Sequence, residues 1–287
     1  LDNFVKIDTE LFEKGLHRYS SISTTKEDLK TLQNNLAILM TIKYFKYANA
    51  PYYAFSHEDL CKSLGLSIIS NDSPAIVRKH FRHFLGSSFS GYKFEVILYR
   101  KRFDSLICVE EKETFNGGKF GRIFFSEFEK IMRIDYPSKP LLLWAFAFIA
   151  SQIFKRSPDD DPSIFPEAYD VTYEEIAEQC GVSKMTAIKL MSLLEENQLL
   201  CVYHSNTATR FGDQFFKIPN IYARFGQEQE LKYKLEQLDS RKEKRKLRKG
   251  SKDNAAKDNS KPNTSTNDED DPWDDDDDKV WGTPQPA

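Results

Sequence analysis

The stretch VTYEEIAEQCGVSKMTAIKLMSLLEENQLL, Val171 to Leu200, decides the fold. Thr172 stands where a helix N-cap is wanted, and Glu175, three residues on, completes a capping box. Ile176 and Ala177 point towards a small core. Gly181 supplies a turn in which a positive φ costs glycine little. Val182 anchors that turn, and Ser183 caps a second helix predicted over Lys184–Gln198. On this helix Ala187, Leu190, Met191 and Leu194 recur at spacings of three and four and form the buried side. Ser183, Lys184, Thr186, Lys189 and Ser192 fall on the other side, mostly near the N-terminal end. A helix of this kind can enter a major groove by its first turns, where short polar and basic side chains reach bases and phosphates. Its free N–H groups also suit a phosphate.

Downstream, Leu199–His204 reads as a strand, Ser205–Asp213 as a polar loop carrying Arg210, and Gln214–Ile218 as the return strand. At Gln198 a residue able to continue the helix predicts a blurred helix end. Helix, helix, strand, loop, strand is the order of a winged helix. The run from Thr172 to Lys189, with Leu194-Glu195-Glu196 and Leu199-Leu200 after it, resembles the winged helix-turn-helix of bacterial regulators and replication proteins over about 50 residues.

The pattern occurs twice. Phe55 to Ser67 repeats the register of Val171 to Ser183 at a constant offset of 116 residues without a gap. A long apolar helix precedes each copy, over Lys26–Ala48 and over Lys139–Lys155, and strands follow each. The pattern reads as a duplicated module. In the first copy Ile68–Asp72 is inserted in the turn, and Asp72 or Ser73 is the expected cap of a helix over Pro74–Leu85, with Pro74 at a permitted first position. Arg78, Lys79 and Arg82 on that helix, with Lys101 and Arg102 in the loop between strands Phe94–Tyr99 and Leu106–Val109, are the candidate phosphate contacts. The insertion puts base reading by this copy in question. His80 and His83 share a helix side but have no evident third ligand for a metal, and Phe115–Arg122 lacks the spacing of a phosphate-binding loop and reads as a turn between strands.

Two such modules behind long helices resemble the tandem winged-helix initiators of plasmid replication, over roughly residues 4 to 220. The resemblance implies that both modules dock on repeated DNA sites. Transcription regulators share the same parts. A non-catalytic scaffold in a replication or conjugation complex stays open beside them.

Composition bounds the rest. The 287 residues are 40% hydrophobic, with 22 Phe and 13 Tyr, enough to build a core. The net charge of −3 hides a contrast: from Ser251 onward 4 Lys face 11 Asp and Glu, net −7, so the preceding residues carry net +4. The four cysteines, Cys61, Cys108, Cys180 and Cys201, form no CxxC pair and read as reduced, buried thiols. With no apolar leader run and no run long enough for a bilayer, a cytoplasmic protein is expected. No nucleotide loop, zinc signature or nucleophile elbow is present, so a binder without cofactor or metal is expected, not an enzyme.

The resulting expectation is an α+β fold, mostly α with small antiparallel β wings. It comprises a lead-in over 1–24, a first winged-helix module over 25–135, a second over 136–225, an exposed basic helix over 226–250 and a disordered acidic tail over 251–287. The expected partner is double-stranded DNA. Trp273 and Trp281 mark the tail as a possible site for a protein partner, and a homodimer is the expected assembly if the long helices self-associate.

Overall fold

Ser56 and Thr172 hold the same local structure 116 residues apart. Each caps a short helix with its hydroxyl: Ser56 Oγ accepts from Asp59 N at 3.1 Å and Thr172 Oγ1 from Glu175 N at 3.2 Å. Each third-residue carboxylate reaches back to the cap N–H at 2.8 Å. Gly65 and Gly181 end these helices at φ values of 66° and 65°, the left-handed region where a side chain is disfavoured. The structure is a computed structural model and describes residues 3–12, 26–46, 52–68, 72–99, 106–153, 155–205, 208–211, 214–217 and 219–240. The expected wing residues Lys101 and Arg102, the whole basic run after Ser240 and the whole acidic tail lie outside them.

The elements in chain order are β1 (Phe4–Asp8), α1 (Lys26–Tyr44), β2 (Tyr52–Ser56), α2 (His57–Ser63), α3 (Ser73–Leu85), β3 (Lys93–Tyr99), β4 (Leu106–Glu113), β5 (Phe120–Phe124) and α4 (Phe125–Arg133). There follow α5 (Lys139–Gln152), β6 (Tyr169–Val171), α6 (Tyr173–Cys180), α7 (Lys184–Glu196), β7 (Leu200–Tyr203), β8 (Ala208–Phe211), β9 (Gln214–Lys217) and β10 (Asn220–Arg224), with a last helix, α8, over 228–240. The fold is mixed α+β with small antiparallel sheets. Two three-stranded sheets have the same order, β2-β4-β3 and β6-β10-β7. In each, the strand before the helix pair lies beside the last strand, which lies beside the middle one. No helix among the described residues is long and apolar enough to cross a membrane.

Helix α5 sits at the centre. Every residue from Leu142 to Ser151 is buried, so the helix has no solvent face and must be covered on all sides. Helices α1, α4, α6 and α7 and strands β1, β5 and β10 all pack on it. Its polar atoms are satisfied locally: Trp144 Nε1 donates to the Gln179 carbonyl at 3.0 Å, and Ser151 Oγ to Phe148 O at 2.8 Å. One hydrophobic core runs continuously through both halves.

Several elements differ from the sequence expectation. The return strand of the second half is β10, not Gln214–Ile218. Residues 214–217 instead pair with 208–211 as a separate hairpin, so Arg210 lies in a strand and not a loop. Strand β10 wins the central place because Ile221, Tyr222 and Ala223 are fully buried between β6 and β7. The long helices are shorter than read, ending at Tyr44 and Gln152. The lead-in is part of the fold: β1 pairs with β5, and Phe12 packs on Trp144 with ring centroids 4.9 Å apart. Helix α8 is not fully exposed. Leu231, Leu235 and Leu238 close over Ala168, Ile221 and Ala223 on the back of the second sheet. Arg156 grips Glu230 with two hydrogen bonds of 3.0 and 3.1 Å.

Helix α7 ends sharply. Asn197 is the C-cap, and Gln198 adopts φ 56°, a position glycine would occupy without strain. Gln198→Gly is therefore expected to stabilise the protein by roughly 0.5–1 kcal/mol, the left-handed penalty less the added freedom of the unfolded chain. Urea denaturation followed by circular dichroism checks this. A loss of stability would place the strain elsewhere.

The two turn glycines make a sharper test. A β-carbon at Gly181 would stand 2.5 Å from Leu29 Cδ2, the movable end of a side chain, but one at Gly65 would stand 2.6 Å from the Pro137 carbonyl oxygen. Gly181→Ala is expected to cost about 1–2 kcal/mol from backbone strain, and Gly65→Ala clearly more. Equal losses in the same denaturation measurement would show that the Pro137 backbone is not pressed on Gly65.

Candidate nucleic-acid interface

The support helices and the helices that follow their turns differ electrostatically. Helices α2 and α6 carry acids in their first turns, Glu58 and Asp59 or Glu174 and Glu175, where carboxylates complement the helix dipole. Helices α3 and α7 carry none. Asp72 stands at the N-cap of α3 and Glu174 lies beside Lys184 at the start of α7, so the acids near these two ends come from outside their first turns.

In α7, Ala187, Leu190, Met191 and Leu194 are buried, as their spacing predicts. The side directly opposite is the stripe Met185, Lys189, Ser192, at steps of four and three. Met185 is 72% exposed, the most exposed large apolar side chain among the described residues. Lys189 is exposed and approaches the Tyr136 ring at 5.9 Å. The remaining candidates serve the helix itself. Ser183 Oγ accepts from Thr186 N at 3.2 Å and lies 3.0 Å from Thr186 Oγ1. Lys184 Nζ lies 2.6 Å from Glu174 Oε1, so a carboxylate already offsets its charge.

The register of burial aligns the first copy. Val77, Phe81 and Phe84 are buried in α3 as Ala187, Met191 and Leu194 are in α7, an offset of 110. The turn of the first copy is thus longer by six residues, not the five of Ile68–Asp72. Ser73 Oγ bridges the flanks of this longer turn by donating to Ser67 O at 2.6 Å, while Asp72 makes no side-chain cap. In this register Ala75, Lys79 and Arg82 correspond to Met185, Lys189 and Ser192. Lys79 and Arg82 are exposed and Arg78 is half-buried. Burial pushes the Tyr99 hydroxyl up, and the charges of Arg78 and Arg82 pull it back. Burial, Lys79, Lys30 and His83 together hold His80 below the usual histidine range, a mark of crowded positive charge.

Of the expected contacts, Ser183, Lys184, Thr186 and Lys189 all belong to α7 or its cap but only Lys189 lies on the outer stripe, and Arg78, Lys79 and Arg82 belong to α3. The backbone of Arg210 lies in the β8–β9 hairpin. Met185 carries no polar signal in the sequence, and its outward place is legible only from the helical count, two positions back from the buried Ala187. Among the described residues no group of three or more His, Cys, Asp or Glu side chains could hold a metal ion. Compared with known proteins, the chain matches no protein-family profile and no curated sequence.

Ser183→Ala is expected to cost about 1 kcal/mol by removing the cap of α7. Thermal and urea denaturation of the variant measure this, and an unchanged midpoint would mean that the hydroxyl does not cap the helix.

Proposed function

We propose that this chain is a sequence-specific double-stranded DNA-binding protein built on two tandem winged-helix modules. Helix α7 is the principal reader and α3 a second. The observation that carries this reading is the outer stripe of α7. It presents an exposed methionine beside an exposed lysine on a helix whose N-terminal turn lacks acids and whose other side is locked in the core. An apolar tip suits a thymine methyl group, and a lysine suits a guanine edge or a phosphate. In chain order the β8–β9 hairpin follows α7 and β7, the order in which a wing follows its reading helix.

The repeated strand order and the shared capping boxes support one module used twice. On that build, and on its resemblance to tandem initiators, the chain acts in replication initiation of a bacterial plasmid or other mobile element. Transcription regulation uses the same parts. A scaffold reading has one observation of its own: Tyr52, Val96, Ile97, Leu98 and Leu106 are exposed apolar residues on the first sheet, a surface suited to protein contact.

The test is the salt dependence of DNA affinity. Each neutralised phosphate contributes about 0.9 to the slope of log affinity against log salt on duplex DNA. Lys189→Ala is expected to lower the slope by about 0.9, and Lys184→Ala by less because Glu174 already offsets its charge. Unaltered affinity and slope in Lys189→Ala would remove α7 from the groove.

A further inference from the structure

A cleft of about 500 Å³ opens between the two halves. The first half lines it with α1, the turn at Gly65 and α3, and the second half with the start of α5 and the turn at Gly181. Its size falls in the range of small-molecule sites, roughly 300–1,000 Å³. Leu29, Leu66, Ile76, Leu141 and Val182 give it apolar walls. Its basic side chains are Lys30 and His80, and no Asp or Glu among the described residues lines it. The cleft therefore combines apolar surface with positive charge that nothing in its walls balances.

The polar side chains are neighbours. Lys30 and Asn34 stand four residues apart on α1, hence on one side of the helix. Asn34 is only 6% exposed, and its amide nitrogen lies 3.4 Å from His80 Nδ1. Lys30, Lys79 and His83 add to burial in holding His80 neutral, with no carboxylate to raise it. An anion beside His80 would relieve that repulsion. The start of α5 acts in the same direction. Its N-cap Ser138, also in the wall, makes no side-chain cap bond, and no acid stands in the first turn. A helix end of this kind favours negative charge.

We propose that this cleft binds a small phosphomonoester whose apolar body is of nucleoside size. Lys30 and His80 take the phosphate, the apolar walls take the body, and Asn34 meets its polar edge. A bare phosphate would leave the apolar walls uncovered, and an uncharged body would leave the cations unbalanced. The site does not rest on the DNA reading, because none of its lining residues belongs to the outer stripes of α3 and α7. A ligand here touches both halves of the chain, so its binding stabilises their association.

Isothermal titration calorimetry of the full chain with adenosine monophosphate tests this, with inorganic phosphate and adenosine as partial ligands. One saturable site is expected for the monophosphate, and weaker binding for each fragment. Lys30→Ala and His80→Gln are each expected to weaken it roughly tenfold, about the loss of one hydrogen bond to a charged group. Lys112→Ala, which alters an exposed lysine of β4 outside the cleft, leaves it unchanged. In the unaltered chain the bound phosphate raises the His80 pKa, read from its imidazole NMR signals, so the test does not depend on how the variants fold. No saturable binding, an unmoved His80 at saturating ligand, or equal loss in Lys112→Ala would overturn the site. Inorganic phosphate bound as tightly as the monophosphate would overturn the apolar body. Loss in Lys189→Ala with both cleft variants unaffected would move the phosphate to α7, overturning the cleft and leaving DNA reading standing.

Discussion

Helix α5 has no polar side, and most of the architecture follows from the need to cover it. A surface helix hides one stripe. A helix buried all round needs partners in every direction, and they come from both ends of the chain. The first half supplies α1, β1 and Phe12, the connecting segment supplies β5 and α4, and the second half supplies α6, α7 and β10. Arg224 of β10 donates to Glu127 of α4 and to the Arg122 carbonyl of β5, tying the connecting segment to the second sheet. The two halves thus repeat one strand order but share one interior.

Polar groups fix the register that apolar burial leaves free. Lys43 of α1 reaches Glu111 of β4 at 2.6 Å and the Tyr53 hydroxyl at 3.2 Å, with the Tyr92 ring at 4.4 Å. Burial pulls Lys43 below the usual lysine range while Glu111 holds it up. A buried pair of this kind adds little net stability, but it permits one seating of α1 on the first sheet. Lys234 with Asp170 and Arg156 with Glu230 do the same for α8 on the second half.

Local signals were legible in the sequence. The capping boxes, the left-handed glycines and the buried side of α7 each depend on residues within a turn of one another. What depended on distant partners was not. Residues 120–124 carry no strong signal of their own, because β5 becomes a strand only beside β1, more than 100 residues away. Gln214–Ile218 is a good strand sequence, and Gln214–Lys217 does form a strand, but β10 has the small and apolar residues that fit between two neighbours. The charge of α8 hid the Leu231, Leu235, Leu238 stripe. At the site, side-chain chemistry pointed to Lys184 as much as to Lys189. Lys184 lies off the outer stripe that carries Lys189, and Glu174, ten residues earlier and on another helix, pairs with it.

The shared core also bears on stoichiometry. A reader assembled from two separate subunits comes apart on dilution, so its occupancy falls more steeply than its concentration. Here the halves are one polypeptide, and for the proposed DNA reader the second helix arrives at its groove as an intramolecular event. Where one chain is the binding unit, occupancy follows protein concentration to the first power, and a cell that counts molecules of this chain counts them without an assembly threshold.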